Sequence, residues 1–274
     1  MPLKRVAVIN SLLPSGKSSV LAAAPILATA KIESSVIPTA VISDNSGNYF
    51  RDMTDCILPI AEHLNATEKT FDAVLTGYLT DDEQIPSVIK ACDLLCDADT
   101  KIIVDPIMGD NGKLYGRFSC NFPNSMLELC KRADVILPNI TEACLLTGIP
   151  YQEKYDESFI LELATKLYEL TGCKIAITGV SFDSRKIGVA VYRNETLKYV
   201  FCDKVPAHYQ GSGDIFSAAF AASVVNGRST RSAAEIAQNF ICGSIKHSFE
   251  SGILPQDGIE FESQLPNLVK YLGF

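Results

Sequence analysis

At 274 residues, with 47% hydrophobic and 20% charged residues, the chain has the composition of a folded globular protein and not of a disordered one. Its formal charge of −8 excludes a basic nucleic-acid-binding surface, yet leaves room for a phosphate ligand held by backbone amides and a cation. No apolar stretch reaches membrane-spanning length, so a cytoplasmic protein with no membrane partner is expected.

In chain order, Val6–Ile9 is a short apolar run behind Lys4 and Arg5. It is broken by Asn10 and Ser11, too short for a signal-peptide core, and reads as a first buried strand. Ser34–Ile37, Phe71–Leu75, Lys101–Val104, Asp134–Leu137 and Lys174–Thr178 read as further strands, many leading into helix-like stretches. This alternation predicts a parallel α/β sandwich. Ile187–Tyr192 and Leu197–Cys202 flank Arg193-Asn194-Glu195-Thr196 and predict an antiparallel hairpin at the sheet edge. Only helices follow, from near Ser212. With no repeat, low-complexity tract or linker in view, residues 1–274 are expected to form a single domain.

Nine cysteines lie scattered through helix-like and strand-like segments, a pattern that predicts reduced, mostly buried thiols. Cys92 and Cys96 stand four apart on a predicted helix. They read as packing and not as a zinc pair, because the chain has three histidines and none is near in sequence.

In parallel α/β sheets, ligands bind beyond the carboxyl ends of the strands. Gly211-Ser212-Gly213-Asp214 opens a helix: its glycines permit a tight turn, and the helix start turns unpaired N–H groups and a positive dipole end outward. That is an anion hole. Asp214, in the first turn, is either a charged cap or a base able to take a proton from an alcohol, and a cap needs neither glycine. Asp105 ends a buried strand before Pro106, a costly place for a carboxylate unless it meets a metal, water or amide; the plain alternative is a turn aspartate. Asn139 and Glu142 stand three apart where a strand yields to a helix. They form a capping box or, in company with Asp105 and Asp214, an oxygen donor set suited to magnesium. Gly109–Gly116 is a polar, glycine-rich interruption read as a mobile flap.

Gly211–Asp214 resembles the signature of the ribokinase-like superfamily. Val104-Asp105-Pro106-Ile107-Met108-Gly109-Asp110, continuing through Gly112-Lys113-Leu114-Tyr115, is similar to a run found in pyridoxal kinases. Leu137-Pro138-Asn139-Ile140-Thr141-Glu142 looks like the motif that organises magnesium and phosphate in the same superfamily. Pro25-Ile26-Leu27, Pro38-Thr39-Ala40-Val41 and Gly77-Tyr78 resemble the pyridoxamine-kinase-like branch. The resemblance implies a ribokinase-like three-layer α/β/α sandwich with a mostly parallel sheet and an antiparallel edge. It implies ATP-dependent phosphorylation of the hydroxymethyl group of pyridoxal, pyridoxamine or pyridoxine, with Asp214 as catalytic base and Gly211, Ser212 and Gly213 as the anion hole. Substrate contacts would fall at Ser11, Thr39, Val41 and Tyr78, and ATP contacts at Asp105, Tyr115, Asn139, Glu142, Thr178 and Ser212. Mg2+ would lie near Asp105 and Glu142, a monovalent cation such as K+ is compatible, and a homodimer is usual.

The Ser11–Lys17 segment departs from the glycine-rich run of that branch, and Thr178 reads equally as a strand-end threonine favoured by β propensity. Ser11 to Ser18 is also one residue away from a Walker A loop, with Lys17 on phosphates and Ser18 on magnesium; Ser11 occupies the place of its first glycine. A P-loop NTPase leaves Gly211–Asp214 unexplained. A hydroxymethylpyrimidine kinase shares the anion hole and metal motif, and a catalytically silent binding protein on the same fold is the non-enzymatic alternative.

Overall fold

Residues of the first strand, β1 (Lys4–Leu12), alternate between two separate hydrophobic cores. Ala7 and Ile9 join one, Val6 and Val8 the other, and all four are buried. A strand apolar on both faces needs helices on both faces, which accounts for its unbroken hydrophobic run. The computed structural model, describing residues 3–43, 49–67 and 69–274, supplies them.

After β1 come α1 (Ser19–Thr29), β2 (Ile32–Ile42), β3 (Phe50–Asp52), α2 (Thr54–Ala66), β4 (Ala73–Thr76), α3 (Gln84–Leu95) and β5 (Lys101–Val104). The middle holds β6 (Gly109–Asp110), β7 (Lys113–Leu114), α4 (Phe122–Cys130), β8 (Val135–Ile136), α5 (Ile140–Thr147) and α6 (Glu157–Thr171). The chain continues with β9 (Lys174–Val180), β10 (Lys186–Arg193), β11 (Thr196–Asp203), α7 (Ser212–Val225), α8 (Thr230–Glu250) and α9 (Leu265–Leu272). The sheet runs β11-β10-β9-β8-β5-β4-β1-β2-β3. Its six central strands are parallel, and β10–β11 form the expected antiparallel edge. One core packs α2 to α6 on one face, and the other packs α1, α7, α8 and α9 on the opposite face. The parallel α/β sandwich read from the alternating pattern, in the three-layer α/β/α form implied by the family resemblance, is therefore the observed architecture.

The structure adds to that expectation in three places. β2 extends past Ile37 to carry Thr39 and Val41 within the strand, and β3 pairs antiparallel with its end, Val41 opposite Arg51. Gly109–Gly116 contains the β6–β7 hairpin, with Gly109 opposite Leu114. Cys202 and Cys242 are disulfide-bonded, joining β11 to α8 across 40 residues, which corrects the expectation of uniformly reduced thiols. Their proximity comes from α8 packing on the hairpin, a tertiary contact that spacing alone does not report. Cys92 is buried within α3 and Cys96 caps its end, as packing residues. Among the described residues, no helix is long and apolar enough to cross a membrane.

Helix α7 matters most for position. Every residue from Ile215 to Ser223 is buried between the sheet, α1 and α8. Truncating a fully buried side chain such as Phe220 to alanine would cost about 3–5 kcal/mol, so the N-terminus of this helix is held by a rigid body.

Candidate active site

The N-terminus of α7 is uncapped by any side chain: Gly211 occupies the cap position with φ 83. That left-handed conformation suits glycine, and a Cβ there would lie 2.5 Å from the Lys17 carbonyl oxygen. The open amides and positive helix end have the geometry that an anion hole at Gly211, Ser212 and Gly213 requires. Asp214 is the third helical residue, not the cap. Its side chain leaves the helix toward β1, where Asn10 Nδ2 donates to Asp214 Oδ1 at 3.1 Å. Burial pushes its carboxyl up, while the Ser19 amide and the Asn10 side chain hold it down.

Two further carboxylates approach. Asp105 follows β5 and is 6% exposed, facing the Ser217 hydroxyl; burial, then the charges of Glu142 and Asp214, push it well above the usual carboxylate range. Glu142, on α5, is pushed up to about 8, chiefly by burial and against the pull of backbone amides. Its oxygens accept the Asn139 amide at 2.8 Å and the Met108 amide at 3.1 Å. Asn139 completes the capping box through the Glu142 amide and also donates to Gly109 O at 2.9 Å, tying the flap to α5. The capping reading of this pair is therefore the observed one, and it leaves the buried Glu142 carboxylate within the field of Asp105. Tyr115, beyond the flap hairpin, is raised to about 12 by burial and then by Glu142, Asp110, Asp105 and Asp214, so it stands within the field of the same carboxylates.

Three buried carboxylates pushed toward protonation are groups whose charged forms a nearby cation would favour. Among the described residues, no three His, Cys, Asp or Glu side chains converge as a direct metal cage. The donors therefore fit magnesium held through its water shell and the ligand's phosphates, the usual preference of that ion.

The expected substrate residues divide. Tyr78 packs its ring 5.9 Å from Phe118, and Val41 is half-buried on β2. Thr39 is fully buried and gives its hydroxyl to Tyr78 O at 2.7 Å, so it supports the Tyr78 backbone from behind. Ser11 is 1% exposed, its hydroxyl 2.8 Å from Ser19 Oγ. Ser19 itself has φ 52, a left-handed conformation that costs a non-glycine residue about 1–3 kcal/mol and that turns its amide toward Asp214. Thr178 follows the site on β9, its amide bonded to Pro138 O at 2.8 Å. Lys17 is ion-paired with Glu262 at 2.7 Å. A cleft of about 500 Å3 lined by Lys204, Pro206, His208, Cys242 and Ile245 opens on the segment leading into Gly211. Sequence reasoning missed Asn10, Ser19, Ser217 and Phe118. Only Asn10 carried a signal, as an amide at the end of an otherwise apolar strand.

Fold and site together define a ribokinase-like protein, with an open helix N-terminus beside a buried carboxyl group. The chain belongs to the phosphomethylpyrimidine kinase family, which matches residues 29–257. A Bacteroides thetaiotaomicron protein described provisionally as a phosphomethylpyrimidine kinase, and crystallised with pyridoxal, is 32% identical with a TM-score of 0.90 over 97% of this chain and 96% of its own. Pyridoxal kinase from Lactobacillus plantarum is 26% identical with a TM-score of 0.90, covering 98% of each chain. Pyridoxine kinase of Bacillus subtilis is 31% identical over 54% of this chain and 55% of its own length. The first curated relatives are matched over roughly half to two thirds of their length.

Proposed function

We propose that this chain transfers the γ-phosphoryl group of ATP to the hydroxymethyl group of a pyridoxal-type acceptor. The observation that carries the reading is Asp214, in the first turn of a helix whose N-terminal amides are free, with its carboxylate oriented by two donors. In this reading Asp214 accepts the alcohol proton as the alcohol oxygen forms its bond to the γ-phosphorus. The bond from that phosphorus to the β–γ bridging oxygen breaks, and ADP leaves with the electron pair. The amides at Gly211 to Gly213 stabilise the charge spread over the transferring group, which is where most catalysis of phosphoryl transfer lies. Magnesium, bound with the phosphates, would neutralise charge there, with Asp105 and Glu142 holding it through water.

The nucleoside suits the cleft ahead of Gly211, with Thr178 and Asn139 on the nucleotide side and Tyr115 on the flap itself. Val41, Tyr78 and Phe118 would wall the acceptor ring, with Ser11 and Thr39 behind them. The relative crystallised with pyridoxal and the pyridoxine kinase favour a vitamin B6 acceptor. A monovalent cation, a homodimer and a cytoplasmic location belong to the same proposal, on family likeness.

A second reading is favoured by the matched family's own description: a hydroxymethylpyrimidine, which presents the same kind of alcohol on a six-membered ring with two nitrogens. Coupled ADP release with pyridoxal, pyridoxine, pyridoxamine and hydroxymethylpyrimidine decides between them. Turnover of a B6 vitamer supports the first reading, turnover of the pyrimidine alone replaces it with the second, and turnover of none by folded protein overturns both.

A further inference from the structure

Asn10, at the C-terminal end of β1, is 4% exposed and bonds three separate segments with one side chain. Its Oδ1 accepts the Ser11 amide at 2.7 Å and the Tyr78 amide at 2.9 Å, while Nδ2 donates to Asp214 Oδ1 at 3.1 Å. Both backbone partners are donors, so the amide has one admissible orientation, oxygen toward the chain and nitrogen toward Asp214. The reverse would set an NH2 group against two N–H groups and a carbonyl against a carboxylate. The room for this side chain is reserved by Gly77, where a Cβ would fall 2.3 Å from Asn10 Nδ2.

We propose that Asn10 is a positioning residue, whose single amide holds the Asp214 carboxylate and the Tyr78 wall of the acceptor pocket in one frame. The proposal rests on the reading of Asp214 as base. A carboxylate on two rotatable bonds can take up many settings, and a buried donor on a central strand selects one. Nδ2 carries only hydrogens, so it also keeps Oδ1 an acceptor. Because Tyr78 N and Asp214 Oδ1 are bonded to opposite ends of one planar group, a shift of either wall is transmitted to the other. Misplacement of a reacting group by about 1 Å costs on the order of 100-fold in rate, which is the size of effect at stake.

The ends of the amide separate by substitution. Asn10→Asp keeps oxygen toward Ser11 and Tyr78 but turns the donor facing Asp214 into an acceptor. It should lower kcat about 100-fold, with KM for the acceptor alcohol within about threefold. Asn10→Ala releases the Tyr78 segment too and should raise that KM as well. Thermal melting supplies a readout independent of activity. Asn10→Asp sets two carboxylates face to face and should melt lower, and adding Asp214→Asn restores a donor–acceptor pair with the roles exchanged. The double variant should recover melting temperature while remaining inactive. The proposal is overturned if Asn10→Asp keeps kcat within about threefold while Asp214→Asn is inactive, or if the double variant melts no higher than Asn10→Asp. Should Asp214→Asn keep its own kcat, the base assignment fails first and the positioning role with it.

Discussion

The carbonyl oxygen of Lys17 presses on Gly211 so closely that a Cβ at position 211 would sit 2.5 Å from it. The loop before α1 thus backs the N-terminal turn of α7, although its lysine side chain is paired with Glu262. Gly211→Ala meets both this contact with a backbone atom, which no side-chain movement relieves, and a φ of 83 that disfavours a residue with a Cβ. The variant should melt lower and lose more than about tenfold in kcat, since removing one well-placed amide donor costs that much or more. Unchanged melting with kcat within about threefold would show that the turn is not the anion hole.

Lys17 Nζ contacts both oxygens of Glu262, at 2.8 and 2.7 Å, with both side chains partly exposed. Such a pair contributes at most about 1 kcal/mol. Lys17→Ala and Glu262→Ala should therefore give the same small loss of stability and leave ATP affinity within about threefold. Titration of each variant with ATP checks this. A 100-fold loss confined to Lys17→Ala would restore the phosphate-gripping lysine of a Walker loop, since a charge-assisted contact of that kind is worth more than about 1.5 kcal/mol.

How far the sequence reached follows from which signals are local. Val6–Ile9 and Lys101–Val104 announce buried strands because both of their faces are apolar, and the hairpin announces itself through two β-rich runs around Arg193–Thr196. The anion hole and the Asn139–Glu142 capping box are also local, each complete within four residues. Phe50-Arg51-Asp52 is different: three residues joined to β2 by backbone bonds alone leave no hydrophobic period to detect. Cys202 and Cys242 meet only because α8 returns across the hairpin. Ser11 was expected to face the substrate from its place after β1, yet its hydroxyl pairs with Ser19, which the unusual left-handed turn at Ser19 makes reachable. Asn10 escaped notice because an amide ending a strand reads as a terminator until its three partners are seen.

Glu142 and Asp105 both hold their protons more tightly in the folded chain than free in water. For a group whose folded pKa is raised, the stabilisation is full below the unfolded pKa and is lost as pH rises through the folded one. With Glu142 pushed up to about 8, melting temperature in chelator should fall as pH rises from about 5 to about 8. Glu142→Gln should flatten that slope, and magnesium with ATP should reduce it by favouring the charged forms. Thermal unfolding across pH, with and without magnesium and ATP, measures all three. A parent protein with no slope in this window would mean that its carboxylates are not held protonated.

Asp214→Asn tests the chemistry most directly. Asparagine is nearly isosteric, and its oxygen can still accept from Asn10 Nδ2, so the contact that holds the side chain survives in part. The α7 turn does not depend on the carboxylate, because the helix has no side-chain cap to lose. What disappears is the capacity to accept a proton from the acceptor alcohol, and loss of a general base costs on the order of 100- to 10,000-fold in rate. Removing a negative charge beside the anion hole also relieves repulsion toward phosphate, so ATP should bind as tightly as to the parent or slightly tighter. The expected result is a collapsed kcat with melting temperature and ATP dissociation constant close to those of the parent. A near-normal kcat would instead make Asp214 a structural partner of Asn10 and Ser19 and move the base elsewhere in the site. Collapse of ATP affinity alongside kcat would point to a damaged anion-binding turn, and the comparison with Gly211→Ala, expected to melt lower as well as turn over more slowly, tells the two apart.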